Sequence, residues 1–295
     1  MNDVQEIAAL QEHAPAKINL FLHVDRPRSD GYHELESLVV FTDFGDRVWI
    51  TASDTLSLER SGPFASALPA DPQDDLCLRA ARALGAVFNR DEAVHIALEK
   101  NIPVAAGIGG GSTDAAAVLR ALCRMWKIDA AESRVGDVAA GLGADVPVCL
   151  GARTALIGGT GEIVVPLVTA PELHLLLVNP NRPLSTAAVF NAYPGPPQAF
   201  HPVQDEFAGL QGPAMVSRVS EHRNDLRAAA CELCPDIRDV LGALGSAPEC
   251  RLARMSGSGP TCFGVFETSK ACDKAAEVIA GGHPDWWVRG TRTRG

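Results

Sequence analysis

Pro103-Val104-Ala105-Ala106-Gly107-Ile108-Gly109-Gly110-Gly111-Ser112-Thr113-Asp114 is the stretch on which the reading of this chain turns. Four glycines fall within five positions, and two hydroxyls and a carboxylate follow at once. In the apolar run 115–126, Ala115, Val118, Leu122 and Met125 recur at helical spacing, which marks one face of an amphipathic helix. Ser112, Thr113 or Asp114 is placed as its N-cap. A glycine loop that feeds a helix start offers unpaired amides and the positive end of the helix dipole to an anion, above all a phosphate. Glycine also lets the backbone come within hydrogen-bond reach of phosphate oxygens. The loop is not closed by the Gly-Lys-Ser/Thr of a Walker A sequence. Ser112 stands where a dinucleotide fingerprint needs a third Gly or Ala. A glycine-rich turn ahead of a core helix is the plainer alternative; the position at the helix start and the Ser112-Thr113 pair favour phosphate.

Composition sets the frame around this loop. A chain of 295 residues suggests about two domains. No apolar run approaches the roughly 20 residues of a membrane span. Residues 1–12 lack a basic n-region and a long apolar h-region, so they read as a loose leader rather than a signal peptide. The net charge of −10 argues against broad nucleic-acid or anionic-membrane binding, though not against a nucleotide site built from local donors. The eight cysteines are scattered through apolar contexts and read as reduced, buried thiols of a cytoplasmic protein. Cys231 and Cys234 form a lone CxxC without a second pair, a weak redox or zinc signal.

Residues 14–24 alternate as a strand that places Lys17 and Asn19 on one face. A polar pair inside an apolar strand is either a solvent-facing surface or part of a site. Tyr32 and His33 follow the turn at 26–31. They are either a packing pair or an aromatic and a histidine that stack on a base and bond its edge. Helices are predicted over 76–88 and 133–142, with a strand over 93–98 leading into the glycine loop. Asp145 lies in a turn between Gly143 and Pro147, before an apolar strand at 148–150; it either caps that turn or does chemistry from it. Strands at 173–178 and 287–288 and helices at 187–192 and 271–279 complete the pattern, with a second glycine turn at 255–261 and a loop over 194–213. The domain boundary falls near 165–170, which divides the chain into 1–167 and 168–295.

Three of these pieces, in order, resemble the GHMP kinase family of small-molecule kinases. They are the Pro15-Ala16-Lys17-Ile18-Asn19-Leu20 strand, the Pro103 to Thr113 loop and the Met255 to Thr261 turn. The Asp30-Gly31-Tyr32-His33-Glu34-Leu35, Gly143-Ala144-Asp145-Val146-Pro147 and Asn224-Asp225-Leu226 segments resemble the branch whose alcohol substrate carries a cytidine. The loop departs from the family pattern by Ile108 in place of Leu, and the 194–213 segment matches poorly.

The resemblance implies an α+β, two-domain fold. Its N-terminal, ATP-binding domain would be like the second domain of ribosomal protein S5, and its C-terminal, substrate domain ferredoxin-like. It implies that Asp145 orients and deprotonates the acceptor hydroxyl, and that Lys17 keeps Asp145 ionised and stabilises the transferring phosphoryl group. Lys100, Pro103, Val104, Ala105, Ala106, Gly107, Ile108, Gly109, Gly110, Gly111, Ser112 and Thr113 would bind ATP, which carries Mg²⁺ with it. No dedicated metal site is implied. Asn19, Tyr32, His33 and Thr186 would hold the small-molecule cytidyl substrate. Expected partners are limited to these two small molecules, without nucleic acid or membrane, in a monomer or weak homodimer. A kinase for mevalonate or homoserine, or a nucleotide binder without turnover, remains open from the residues alone.

Overall fold

The computed structural model describes residues 9–28, 31–196 and 206–294. The first elements are β1 (Leu10–Asn19), β2 (His23–Pro27), β3 (His33–Ala52), β4 (Ser57–Ser61), α1 (Leu76–Phe88) and β5 (Val94–Glu99). Then come α2 (Gly110–Trp126), α3 (Ser133–Leu142), α4 (Val146–Gly151), β6 (Ala155–Gly158), β7 (Ile163–Pro166) and β8 (His174–Asn179). The remainder holds α5 (Thr186–Ala192), α6 (Gly212–Ser220), α7 (Arg227–Leu233), α8 (Asp236–Gly245), β9 (Cys250–Met255), β10 (Cys262–Phe266), α9 (Ser269–Gly282) and β11 (Trp287–Arg292). No helix among the described residues is long and apolar enough to cross a membrane.

Two compact units are interleaved along the chain. The first takes residues 9–15, Gly45–Val104 and Gly110–Gly151. There the second part of β3 pairs antiparallel with β5, from Arg47 opposite Glu99 to Ala52 opposite Val94, and β4 lies parallel to β5 on its other edge. α1 packs on α2 and α3, and α2 on α4. α1 starts where the Asp75 side chain accepts from the Cys77 amide at 2.9 Å, and it stops at Asn89 in the left-handed conformation. α2 buries ten residues, among them Ala115, Val118, Leu119 and Leu122, so it forms the spine of this unit. Arg120 reaches from α2 to Glu12, to the His13 carbonyl and to the Cys149 carbonyl.

The second unit takes Ala16–Phe44, Ala105–Gly109 and the described residues of Ala152–Gly295. The first part of β3 pairs with β2 and β6, and β6 with β7. A separate four-stranded antiparallel sheet runs in the order β11-β8-β10-β9. Leu175, Leu176, Leu177 and Val178 are wholly buried along β8, which is covered on both faces. Ile237, Val240 and Leu244 give α8 an apolar stripe, and they share a core with Leu176, Val178, Met255, Phe266 and Ile279.

Several expectations are corrected. Leu10 to Glu12 are no loose leader: they open β1, and Glu12 is paired with Arg120 and Arg124. The strand predicted over 14–24 is two strands, broken at residues 20–22. The apolar strand predicted at 148–150 is the helix α4; Pro147 fits the first helical turn, where its missing N–H costs nothing, and so short an apolar run carries no period of its own. α2 begins at Gly110, so Ser112, Thr113 and Asp114 lie within it rather than at its N-cap. The predicted bounds of α1 and α3 coincide with the observed ones. The 194–213 loop lies partly outside the described residues. All eight cysteines are free thiols, and Cys231 and Cys234 are buried in the second unit's core.

Candidate active site

The glycine loop earns its shape from alternation. Ala105, Gly107 and Gly109 all have positive φ, at +53°, +72° and +71°. Turning every second residue to the left-handed region swings successive amides to one side, the arrangement that makes an anion-binding nest. The chain then enters α2, whose first four N–H groups, at 110–113, have no partner within the helix. Pro103 and Ile108 are buried anchors, and Ala105 is exposed.

In the second unit, the loop is clamped by β1 and by the second glycine turn. The Lys17 amide donates to the Ile108 carbonyl at 3.0 Å, and the Thr261 amide to the Ala106 carbonyl at 3.2 Å. A Cβ on Gly107 would lie 2.4 Å from the Gly259 carbonyl oxygen, and one on Gly257 would lie 2.8 Å from the Gly107 carbonyl oxygen. Backbone therefore meets backbone with no room for a side chain. A Cβ on Gly109 would lie 3.1 Å from Lys17 Cβ and 3.4 Å from Lys17 Cε, so the lysine stem runs along this glycine. Lys17 is only 4% exposed. Asn19 is held by its amide, which donates to Ser256 Oγ at 3.0 Å, and by Nδ2, which donates to Ser37 Oγ at 2.8 Å. Its buried Oδ1 has no hydrogen-bond partner among the described residues. Ser256 Oγ donates onward to the Gly107 carbonyl at 3.3 Å. Thr186, the first residue of α5, shares a hydrogen bond of 2.9 Å with Ser258 in the same turn.

In the first unit, Asp145 immediately precedes α4. Its carbonyl accepts from the Cys149 amide at 3.2 Å, and its side chain is half-buried. Lys100 does not face outward to a nucleotide. It is buried, and its ammonium is bonded to Asp46 and Asp114. Burial alone would lower the lysine's pKa, but the two carboxylates outweigh it and hold the proton on firmly. A cavity of about 190 Å³ lies beside the helix start, bounded by Arg60, Leu68, Pro69, Leu76, Leu98 and Gly111.

The base-recognition candidates occupy another corner of the second unit. Tyr32 is 64% exposed. His33 Nδ1 lies 2.7 Å from the Asp25 carbonyl oxygen. A carbonyl only accepts, so Nδ1 is the donor of this bond, and in the neutral imidazole Nε2 is the acceptor nitrogen. The Phe190 ring of α5 lies 5.3 Å from the His33 ring, centroid to centroid, and the Tyr193 ring lies 5.9 Å from it at an interplanar angle of 61°. Sequence reasoning missed Phe190, the cavity and Asp46; Phe190 had only its place on the expected 187–192 helix to recommend it.

A lysine laid along a loop whose backbone forms an anion-binding nest suits phosphoryl transfer, and comparison with known proteins gives the family. The family of GHMP kinases N terminal domains matches residues 75–152, and that of GHMP kinases C terminal domains matches residues 215–282. The chain belongs to the GHMP kinase family: it is a small-molecule kinase with ATP as phosphoryl donor, in the two-domain α+β fold of that family.

Relatives within the family include 4-diphosphocytidyl-2-C-methyl-D-erythritol kinases. The chain is 53% identical to that of Paracoccus denitrificans over 281 residues, 94% of each chain. It is 46% identical to that of Parvibaculum lavamentivorans over 279 residues, 94% of this chain and 96% of the other. A crystal structure of 4-(cytidine 5'-diphospho)-2C-methyl-D-erythritol kinase matches with a TM-score of 0.75 at 32% identity, covering 97% of this chain and 100% of that one. The homoserine kinase of Cytophaga hutchinsonii, at TM-score 0.73 and 17% identity, shares the fold.

Proposed function

We propose that the chain transfers the γ-phosphoryl group of MgATP to the 2-hydroxyl of 4-diphosphocytidyl-2-C-methyl-D-erythritol, a step of the non-mevalonate isoprenoid route. The observation that carries the phosphoryl-transfer part is the Lys17 stem packed along Gly109, which ties a cation to the loop. The substrate's identity is supported by relatives of that name over nearly the whole chain.

In this reading the amides at 107–113 and the α2 dipole hold the triphosphate, with Pro103, Val104 and the buried Ile108 shaping the loop. The cavity beside Gly111 takes the nucleoside end. The acceptor oxygen attacks the γ-phosphorus, the bond to the β–γ bridging oxygen breaks, and ADP leaves. Asp145 aligns the hydroxyl and takes its proton. An ordinary carboxylate is a weak base for an alcohol, which matters little where a loose transition state depends on alignment and charge neutralisation. Lys17 supplies part of that neutralisation, and Mg²⁺ arrives with the nucleotide. On the substrate side, Tyr32 and Phe190 offer faces to cytosine. His33 Nε2 accepts from the exocyclic amine, a donor that uracil lacks. Asn19 Oδ1, buried and without a partner, accepts from a substrate hydroxyl, and Thr186 is a further contact.

The test is ATP consumption with the cytidyl alcohol set against mevalonate and homoserine. Turnover with the cytidyl compound alone is expected; turnover with either of the others and not with it overturns the reading. Asp145→Asn is expected to lower kcat by about a hundredfold or more while leaving ATP binding near normal. Full activity in that variant removes the base.

A further inference from the structure

Lys100 is 2% exposed, Asp46 wholly buried and Asp114 3% exposed. The ammonium donates to Asp46 Oδ2 and, at 2.6 Å, to Asp114 Oδ2. Asp46 Oδ1 accepts from the amides of Asn101 and Ile102, at 2.5 and 2.8 Å, the two residues that follow Lys100. β3, the end of β5 and the second turn of α2 are thereby joined within the first unit. The helix start rests directly on the ammonium: a Cβ on Gly110 would lie 3.0 Å from Lys100 Nζ and 3.2 Å from Ile102 Cγ2. Two of the three ammonium donors are engaged, and the group is sealed from solvent. Burial raises the Asp114 carboxyl well above the usual range; Lys100 opposes that rise and Asp46 adds to it.

We propose that Lys100 is a positioning residue: clasped by Asp46 and Asp114, it fixes the first turn of α2 and sets ATP affinity through the placement of the amides of Gly110, Gly111, Ser112 and Thr113, not by touching a phosphate. This rests on the reading of that helix start as part of the triphosphate cradle. The physical asymmetry behind it is general. Removing one member of a buried charge cluster leaves the others uncompensated, whereas removing all the charges with side chains of similar shape is tolerated.

That asymmetry supplies the test, which uses the full chain with ATP and the cytidyl alcohol. Lys100→Met is expected to raise KM for ATP by about tenfold or more, because two buried carboxyls then push against the helix start; KM for the alcohol stays put. The triple variant Asp46→Asn/Lys100→Met/Asp114→Asn is expected to return KM for ATP to within about threefold of the unmodified chain, since an asparagine at 46 still accepts from the Asn101 and Ile102 amides. A triple variant as impaired toward ATP as Lys100→Met means that Lys100 touches the nucleotide, and the proposal fails. It fails equally if Lys100→Met leaves KM for ATP unchanged. If Lys100→Met does not fold, the triple variant decides alone. Turnover by the unmodified chain is measured first, so a failure of the kinase reading shows there and not in this comparison.

Discussion

The glycine loop and the Tyr32–His33 corner are built in opposite ways, and the proposed function gives each a different ligand. Around the loop, neighbouring chain closes in: Gly107 abuts Gly259, Gly257 abuts Gly107, and the Lys17 side chain lies along Gly109. At the corner His33 is held by Asp25 and lies against the rings of Phe190 and Tyr193, while Tyr32 is 64% exposed and a Cβ on Gly31 would meet nothing within 4 Å among the described residues. The ligands proposed for them would account for the contrast. A phosphate is gripped by several short, directional bonds whose donors must be in place beforehand. A pyrimidine face tolerates an aromatic that settles on arrival, provided one edge contact is fixed.

The sharpest way to break this comparison is Gly107→Ala. Its Cβ would sit 2.4 Å from a backbone oxygen, at a φ of +72°. Left-handed strain costs about 1–2 kcal/mol and forced overpacking about 1–3 more. The expected outcome is a loss of roughly 2–5 kcal/mol in unfolding free energy. Phosphoryl transfer should collapse as well, because the nest amides are displaced. Stability and turnover near those of the unmodified chain would mean that the loop is not held as described.

Tyr32→Ala tests the other side and should act on one constant. KM for the cytidyl substrate is expected to rise by about 1–3 kcal/mol, the loss of one stacked base. KM for ATP should hold, and thermal stability should move by no more than about 0.5 kcal/mol, as for an exposed residue. An equal effect on both substrates would dissolve the distinction between a rigid cradle and an adaptable corner.

The two regions also differ in how far they could be read from residues. The loop's course was legible because Gly107 and Gly109 stand where positive φ and close approach favour glycine. The bounds of α1 and α3 were legible because local signals end them, such as the Asp75 cap. The Lys100 environment was not, because Asp46 is 54 residues away in sequence and nothing local marks it as a partner. The same holds for Phe190, which reaches His33 only through the fold. α4 was misread because a few apolar residues after a turn suit a strand or a helix equally, and the choice is made by the face they bury. α6 and α8 went unread for a related reason: Pro and Gly near 212–213 masked the first, and the second is an isolated stripe of three apolar residues.

Gly31→Ala is the smallest expected effect and the control that gives the others meaning. Gly31 shares with Gly107 a positive φ, +84° against +72°, so both substitutions place alanine in the same disfavoured region. They differ in surroundings, since the Gly31 Cβ would point into open space. The cost there should be the conformational part alone, about 1–2 kcal/mol, with KM for ATP unchanged. Subtracting the unfolding free-energy change of Gly31→Ala from that of Gly107→Ala then isolates the backbone-to-backbone clash between the two glycine turns. A difference near zero would assign the whole effect at Gly107 to its dihedral angle and remove the Gly259 contact as the reason for the loop's rigidity.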